Sequence, residues 1–249
     1  MPFPHYHVYP EQLTSLFHGQ ALWEPNPANV YPHVSVGDVG YVREGRFYRL
    51  FNVLLEWDHP SNRSFVQPEP YIRLDLGPFT NIRESVSPRG DYYSRNVIPS
   101  HGSDNFRAEG PDEYVFSVSG AARYRPIFPC SFLSTKYSCR RNKGALLTLP
   151  NDGLRRDVIR TKVFEDYIRD NVDNWFAFVQ SYMLDVERME DLILVSGCTL
   201  VTSWGAAAFS DRTFGAELSL RIRGATFDWQ EVHPSVTYHN SHQDLVVSF

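Results

Sequence analysis

Nine histidines, three cysteines, an acidic cluster and a short run of cations are the residues in this 249-residue chain whose types could do chemistry. His5 and His7 stand two apart, which on an extended backbone turns both rings to one side. His233, His239 and His242 crowd the C-terminal end, the last two at the spacing of one helical face. Their setting near proline-rich ends reads as solvated or singly hydrogen-bonded rings, and no metal is expected. Asp58 and His59 are adjacent, so on a strand they face opposite ways and do not orient one another as a dyad. Asp185, Glu187, Glu190 and Asp191 lack the oxygen-rich loop with a central glycine that a calcium site needs, and read as the solvated end of a helix. The chain contains no G-x-S-x-G elbow, no G-x-x-x-x-G-K-[ST] phosphate loop and no G-x-G-x-x-G fingerprint. No catalytic residue and no cofactor is therefore expected.

The cations are more informative. Between positions 119 and 149 the charged residues are Arg123, Arg125, Lys136, Arg140, Arg141 and Lys143, with no acid among them. Positions 150–199 then carry ten acidic residues against six basic ones. The plain expectation is two faces that attract each other in the fold. The sharper one is an anionic-surface or membrane contact made by Arg140, Arg141 and Lys143. A net charge of -5 and a pI near 6.0 argue against a nucleic-acid partner, which calls for a basic excess able to neutralise several phosphates.

Cys130, Cys139 and Cys198 cannot all pair within the chain and show no zinc spacing, so reduced thiols and a cytoplasmic location are expected. The opening MPFPHYHVYP has neither the basic nor the apolar region of an export signal, and no apolar run approaches the roughly 18 residues of a membrane span. The Asn62-Arg63-Ser64 sequon and the Arg89-Gly90-Asp91 adhesion tripeptide are accordingly read as silent.

Positioning falls to an α+β fold, expected as a single domain of mostly antiparallel sheet with a helical section at about 152–184 packed on it. Six prolines in the first 35 residues predict an irregular arm with at most a short helix over 11–18. A hairpin is predicted over 38–43 and 46–55, turning at Glu44-Gly45, and short strands over 71–76, 92–98 and 113–119. The stretch GAARYRPIFP marks a probable insertion at 119–135. A second hairpin is predicted from 132–140 and 145–149, its tip at Asn142-Lys143-Gly144. Asn151 or Asp152 caps the predicted helix, whose apolar stripe runs through Leu154, Val158, Phe164, Ile168, Val172, Trp175, Val179 and Tyr182. Phe176 and Phe178 lie off that stripe, which allows them a partner or lipid surface. A buried strand over 191–204, an alternating strand over 213–223 and a strand over 225–232 complete an antiparallel meander.

The stretches GDVGYVREGRFYRLFNVLL, RRNKGALLTLP and VERMEDLILVSGCTLVTSW resemble a large uncharacterised protein family of mushroom-forming fungi, over most of the chain except 119–135. That family brings no catalytic residues. The run Glu190-Asp191-Leu192-Ile193-Leu194-Val195-Ser196-Gly197-Cys198-Thr199-Leu200 is also similar, more weakly, to the helix-to-strand passage in the pore-forming domain of gasdermins. What that likeness implies is a membrane-active, pore-forming module, a fungal defence or cell-death effector, with an anionic lipid surface as partner and homo-oligomers on the membrane. A protein-binding domain without membrane activity ranks second, and an enzyme with an unrecognised active site third.

Overall fold

The computed structural model describes residues 5–16, 19–25, 33–62, 68–77, 82–101, 133–139, 143–209, 216–223, 226–231 and 236–241, the backbone alone at 100–101, 133–136 and from 216 onward. Helix α1 is His5–Leu13, followed by a helical turn at Thr14–Leu16. The strands of the first half are β1 (Asp38–Arg43), β2 (Arg46–Asn52), β3 (Ile82–Ser87), β4 (Gly90–Tyr93) and β5 (Val97–His101). Then come β6 (Leu133–Cys139), β7 (Gly144–Leu149), β8 (Gly153–Val158) and helix α2 (Thr161–Ser181). The last strands are β9 (Leu192–Leu194), β10 (Gly197–Leu200), β11 (Trp204–Phe209), β12 (Ala216–Arg223), β13 (Thr226–Glu231) and β14 (Val236–Ser241). The chain is α+β and mostly antiparallel sheet, as its patterning predicts.

The expected β1–β2 hairpin is present. Arg43 pairs with Arg46 across Glu44 and Gly45, whose φ values of 51° and 79° are the positive angles a two-residue turn needs to follow strand twist. Strand β9 adds to the other edge of β1, and α2 packs over this three-stranded sheet. The contact is aromatic: Phe51 meets Trp175 and Phe178 edge-on, with ring centroids 5.8 and 5.9 Å apart. Phe178 is buried in this core and Phe176 packs partly against it, so neither is reserved for a partner or lipid.

The helical section starts later than its apolar spacing suggests. Residues 153–158, expected as the first turns of the helix, form β8, a central strand between β3 and β10. A four-residue interval between Leu154 and Val158 fits one face of a helix and one face of a strand equally well, and two flanking ladders decide it.

The second expected hairpin is not a hairpin. Strand β6 pairs with β5 and β12, whereas β7 pairs with β4 and β11, so the two strands belong to different four-stranded sheets. Those sheets face each other through Val97, Tyr137, Cys139, Leu146, Ala207 and Phe209. The Tyr137 hydroxyl, wholly buried, donates to Asp91 Oδ2 at 2.6 Å and ties one sheet to the other. Strands β12 and β13 pair antiparallel from Arg223 opposite Thr226 onward, and the turn expected at Gly224 lies outside the described residues.

The predicted strand over 191–204 is divided between β9 and β10, with β11 beginning at its end. Strand β11, WGAAAF, is buried on both faces, and its small residues are what permit this. Trp204, Ala206 and Ala208 lie under α1 with Tyr9 and Leu13, while Ala207 and Phe209 face the sandwich interior. Helix α1 runs earlier in the chain than the expected 11–18, and carries Pro10 inside it. Burial of Val8, Tyr9 and Leu13 on the sheet outweighs the lost backbone hydrogen bond.

Two of the sheets follow one another along the chain: strand β3 leads into β4, β8 follows β7, and β10 leads into β11, and the ladders on both sides of the central segment are interrupted at 150–152. From Ser87 to Gly90 one neighbour advances three residues while the central strand covers the four from Gly153 to Leu149. On the other side, five residues from Leu200 to Gly205 face six from Leu154 to Thr148. Both neighbours thus report one extra residue in the central segment at Pro150-Asn151-Asp152, the offset of a β-bulge, at the place where one sheet gives way to the next. Proline suits that position because it has no N–H to offer a ladder.

Candidate functional site

Lys143, the described member of the cationic run, sits where four elements end together. In the β5–β6 ladder Val97 pairs with Cys139, which brings the turn before β5 and the segment after β6 to the same end of the sandwich. Strand β7 begins at Gly144 against the same residues: a Cβ there would lie 2.7 Å from Val97 Cγ2 and 2.8 Å from Cys139 Sγ, so only glycine lets the chain turn this closely. The Asn96 side-chain amide donates to the Lys143 carbonyl at 3.0 Å and to Gln12 Oε1 at 3.2 Å, stitching the β4–β5 turn, the connection and α1 together.

Of the three cations singled out in the sequence, Lys143 lies within the described residues, and its ammonium meets Glu11 Oε2 of α1 at 2.9 Å. Arg140 and Arg141 lie outside the described residues, one and two positions beyond the end of β6. Arg95, exposed on the β4–β5 turn, joins this end of the molecule and was not singled out. Its only sequence signal is that it interrupts the strand predicted over 92–98, which the fold breaks into β4 and β5 at Ser94 to Asn96. The acids of the 150–199 section are engaged mostly within that section. Asp166 binds Lys162 and Arg169, Asp157 binds Arg155, and Asp191 binds Arg188, each at 2.7 to 2.9 Å, while Asp185 pairs with Arg43.

The other candidate groups fall into structural roles. His59 Nδ1 accepts the Ser61 amide at 3.2 Å in an exposed turn, and His5 packs on Trp23 with centroids 4.8 Å apart. His239 stands in β14, not on a helix. His233 and His242 lie outside the described residues, as do Cys130, the predicted strand at 113–119 and the insertion up to Phe132; Leu133 to Thr135 open β6. Among the described residues no three His, Cys, Asp or Glu side chains come together as a metal site. Cys139 and Cys198 are buried free thiols, and burial pushes Cys198 up to about 11, which keeps it a thiol and a poor nucleophile. Asp38 is wholly buried among Asn52, Arg49 and the Ser35 amide, a node that fixes the start of β1.

A cleft opens beside α1, lined by Leu13 of α1, Leu16, Tyr92 of β4, Leu149 of β7, Arg155 of β8 and Thr199 of β10. Its volume of about 50 Å³ is small beside the ~300 to 1,000 Å³ of ordinary ligand pockets. Among the described residues no helix is long and apolar enough to cross a membrane.

No family model matches the chain, no curated protein is similar to it, and no solved structure matches it.

Proposed function

We propose that the protein is a non-catalytic, membrane-active module that engages anionic lipid surfaces through the cationic end of its sandwich. Gasdermin-like pore formation, in the service of fungal defence or cell death, is the form of this reading that the resemblance of residues 190–200 favours. The observation that carries it is the Asn96–Lys143 contact, which sets exposed Arg95 beside Lys143, the described member of the cationic run Arg140, Arg141 and Lys143. Basic residues close to an anionic leaflet contribute roughly 1 kcal/mol each, so four of them suffice for reversible docking. Subsequent insertion requires strands whose polar backbone is paired with neighbouring copies, because hydrocarbon offers no hydrogen bonds. The alternating β12 strand, Leu218, Leu220 and Ile222 against Glu217, Ser219 and Arg221, has the two-sided pattern that such insertion needs. Reduced thiols at Cys139 and Cys198 are consistent with action from a cytoplasmic compartment.

Dye release from liposomes tests this reading. Vesicles containing phosphatidylserine should bind the protein and leak, whereas phosphatidylcholine vesicles should do neither. Absence of both binding and leakage with the anionic vesicles would rule membrane action out. The second reading, a protein-binding domain, is favoured by β3, which among the described residues pairs with β8 alone and exposes Ile82 and Val86, the latter at 72%. Failure on liposomes would move that reading to first place.

A further inference from the structure

Helix α1 plays no part in the reading above, yet its C-terminal end is bound to the cationic connection. Glu11, the one acidic residue of α1, holds the Lys143 ammonium at 2.9 Å. Its neighbour Gln12 shares the Asn96 amide with the Lys143 carbonyl, so both the charge and the backbone of Lys143 are tied to this helix end. The pair is at the rim, with the Lys143 side chain 27% and the Glu11 side chain 54% exposed, so the ion pair borders the solvent from which an anion would come. Beneath it α1 covers Ala145, Leu149, Trp204, Ala206 and Ala208 of β7 and β11. A nine-residue helix interrupted by Pro10 is too short to hold its shape by its own hydrogen bonds, and depends on that packing.

We propose that α1 is a built-in latch on the cationic end: Glu11 competes with anionic lipid for Lys143, so that surface binding and α1 docking oppose each other. The inference rests on the membrane reading and adds its regulation. By linkage, whatever weakens the Glu11–Lys143 pair strengthens lipid binding, and lipid binding loosens α1 by the same factor. Release of α1 would also bare the apolar face of β7 and β11 beside the docked cations, which couples electrostatic docking to hydrophobic contact.

The test is co-sedimentation with phosphatidylserine/phosphatidylcholine vesicles. Glu11→Gln should bind about two- to fivefold more tightly than the natural chain, the range an exposed ion pair supports. In a Lys143→Gln background the Glu11 substitution should add nothing beyond its general charge effect. That effect is measured with Glu187→Gln, an equal charge change on the exposed loop after α2. Amides 5–13 should exchange hydrogen faster once the natural chain is vesicle-bound. Binding by the natural chain with no gain in Glu11→Gln over Glu187→Gln, or with unchanged exchange at 5–13, would overturn the latch alone. Absence of binding by every variant would remove the membrane reading and the latch together.

Discussion

Asp38 shows what a single buried carboxylate can be asked to do. It accepts hydrogen bonds from the Ser35 amide at 2.7 Å and the Asn52 side chain at 2.8 Å, with the Arg49 guanidinium 3.8 Å away. Burial outweighs these and lifts its pKa from 3.8 to about 6. Between those values the folded chain keeps a proton that the unfolded chain has released, so stability falls as pH rises through this window. Below it both states are protonated, and above it both are ionised. Relative to Asp38→Asn, which cannot titrate, the natural chain should lose on the order of 3 kcal/mol of unfolding free energy between about pH 4 and about pH 7. Urea titration of both proteins measures this, and a constant difference would show that Asp38 is not the buried acid described. None of this was legible beforehand. Asp38 looks like any strand-opening residue, and its partners Arg49 and Asn52 acquire meaning only once β2 folds back and Asn62 Oδ1, in turn, accepts the Asn52 backbone amide at 2.7 Å. The Glu11–Lys143 pair is further still from the sequence's reach, since its members are 132 residues apart.

At the scale of elements, local chemistry was readable and pairing was not. The β1–β2 turn could be found because glycine beside a polar residue has a specific backbone use there. Helix α2 could be found because Phe164, Trp175 and Val179 keep one face apolar over many turns. Trp175 is buried against Phe51, and Trp175→Ala should therefore cost about 3 to 5 kcal/mol, read as a lower thermal midpoint with helix content retained below it. A loss under about 1 kcal/mol would mean that α2 does not rest on the sheet through this ring. The β6–β7 connection was misread for a physical reason: the residues that reverse a chain within one sheet are the same ones that carry it between two. Only the ladders β6–β12 and β7–β11, formed with strands some sixty to eighty positions later, distinguish the alternatives. Residues 153–158 were misread because a short apolar interval of four carries no information on period.

The molecule as a whole joins the three-stranded β10-β8-β3 sheet, a sandwich in which two four-stranded sheets meet, and the three-stranded sheet covered by α2. The one-residue offset at Pro150 to Asp152 and the convergence of Arg95, Asn96 and Lys143 are properties of the assembly, visible in no segment alone. The charge pattern did predict a concentrated cationic stretch, and the fold places its described part at the rim, shared with α1. Binding that depends on this end should weaken steeply as salt is raised, because exposed charges are screened beyond about 10 Å at 0.1 M. The most direct measurement is the affinity of the triple variant Arg140→Glu, Arg141→Glu, Lys143→Glu for phosphatidylserine vesicles, beside the natural chain and with folding checked by thermal melting. The account predicts that a folded triple variant no longer sediments with vesicles that retain the natural chain. Equal retention of the two proteins would contradict it.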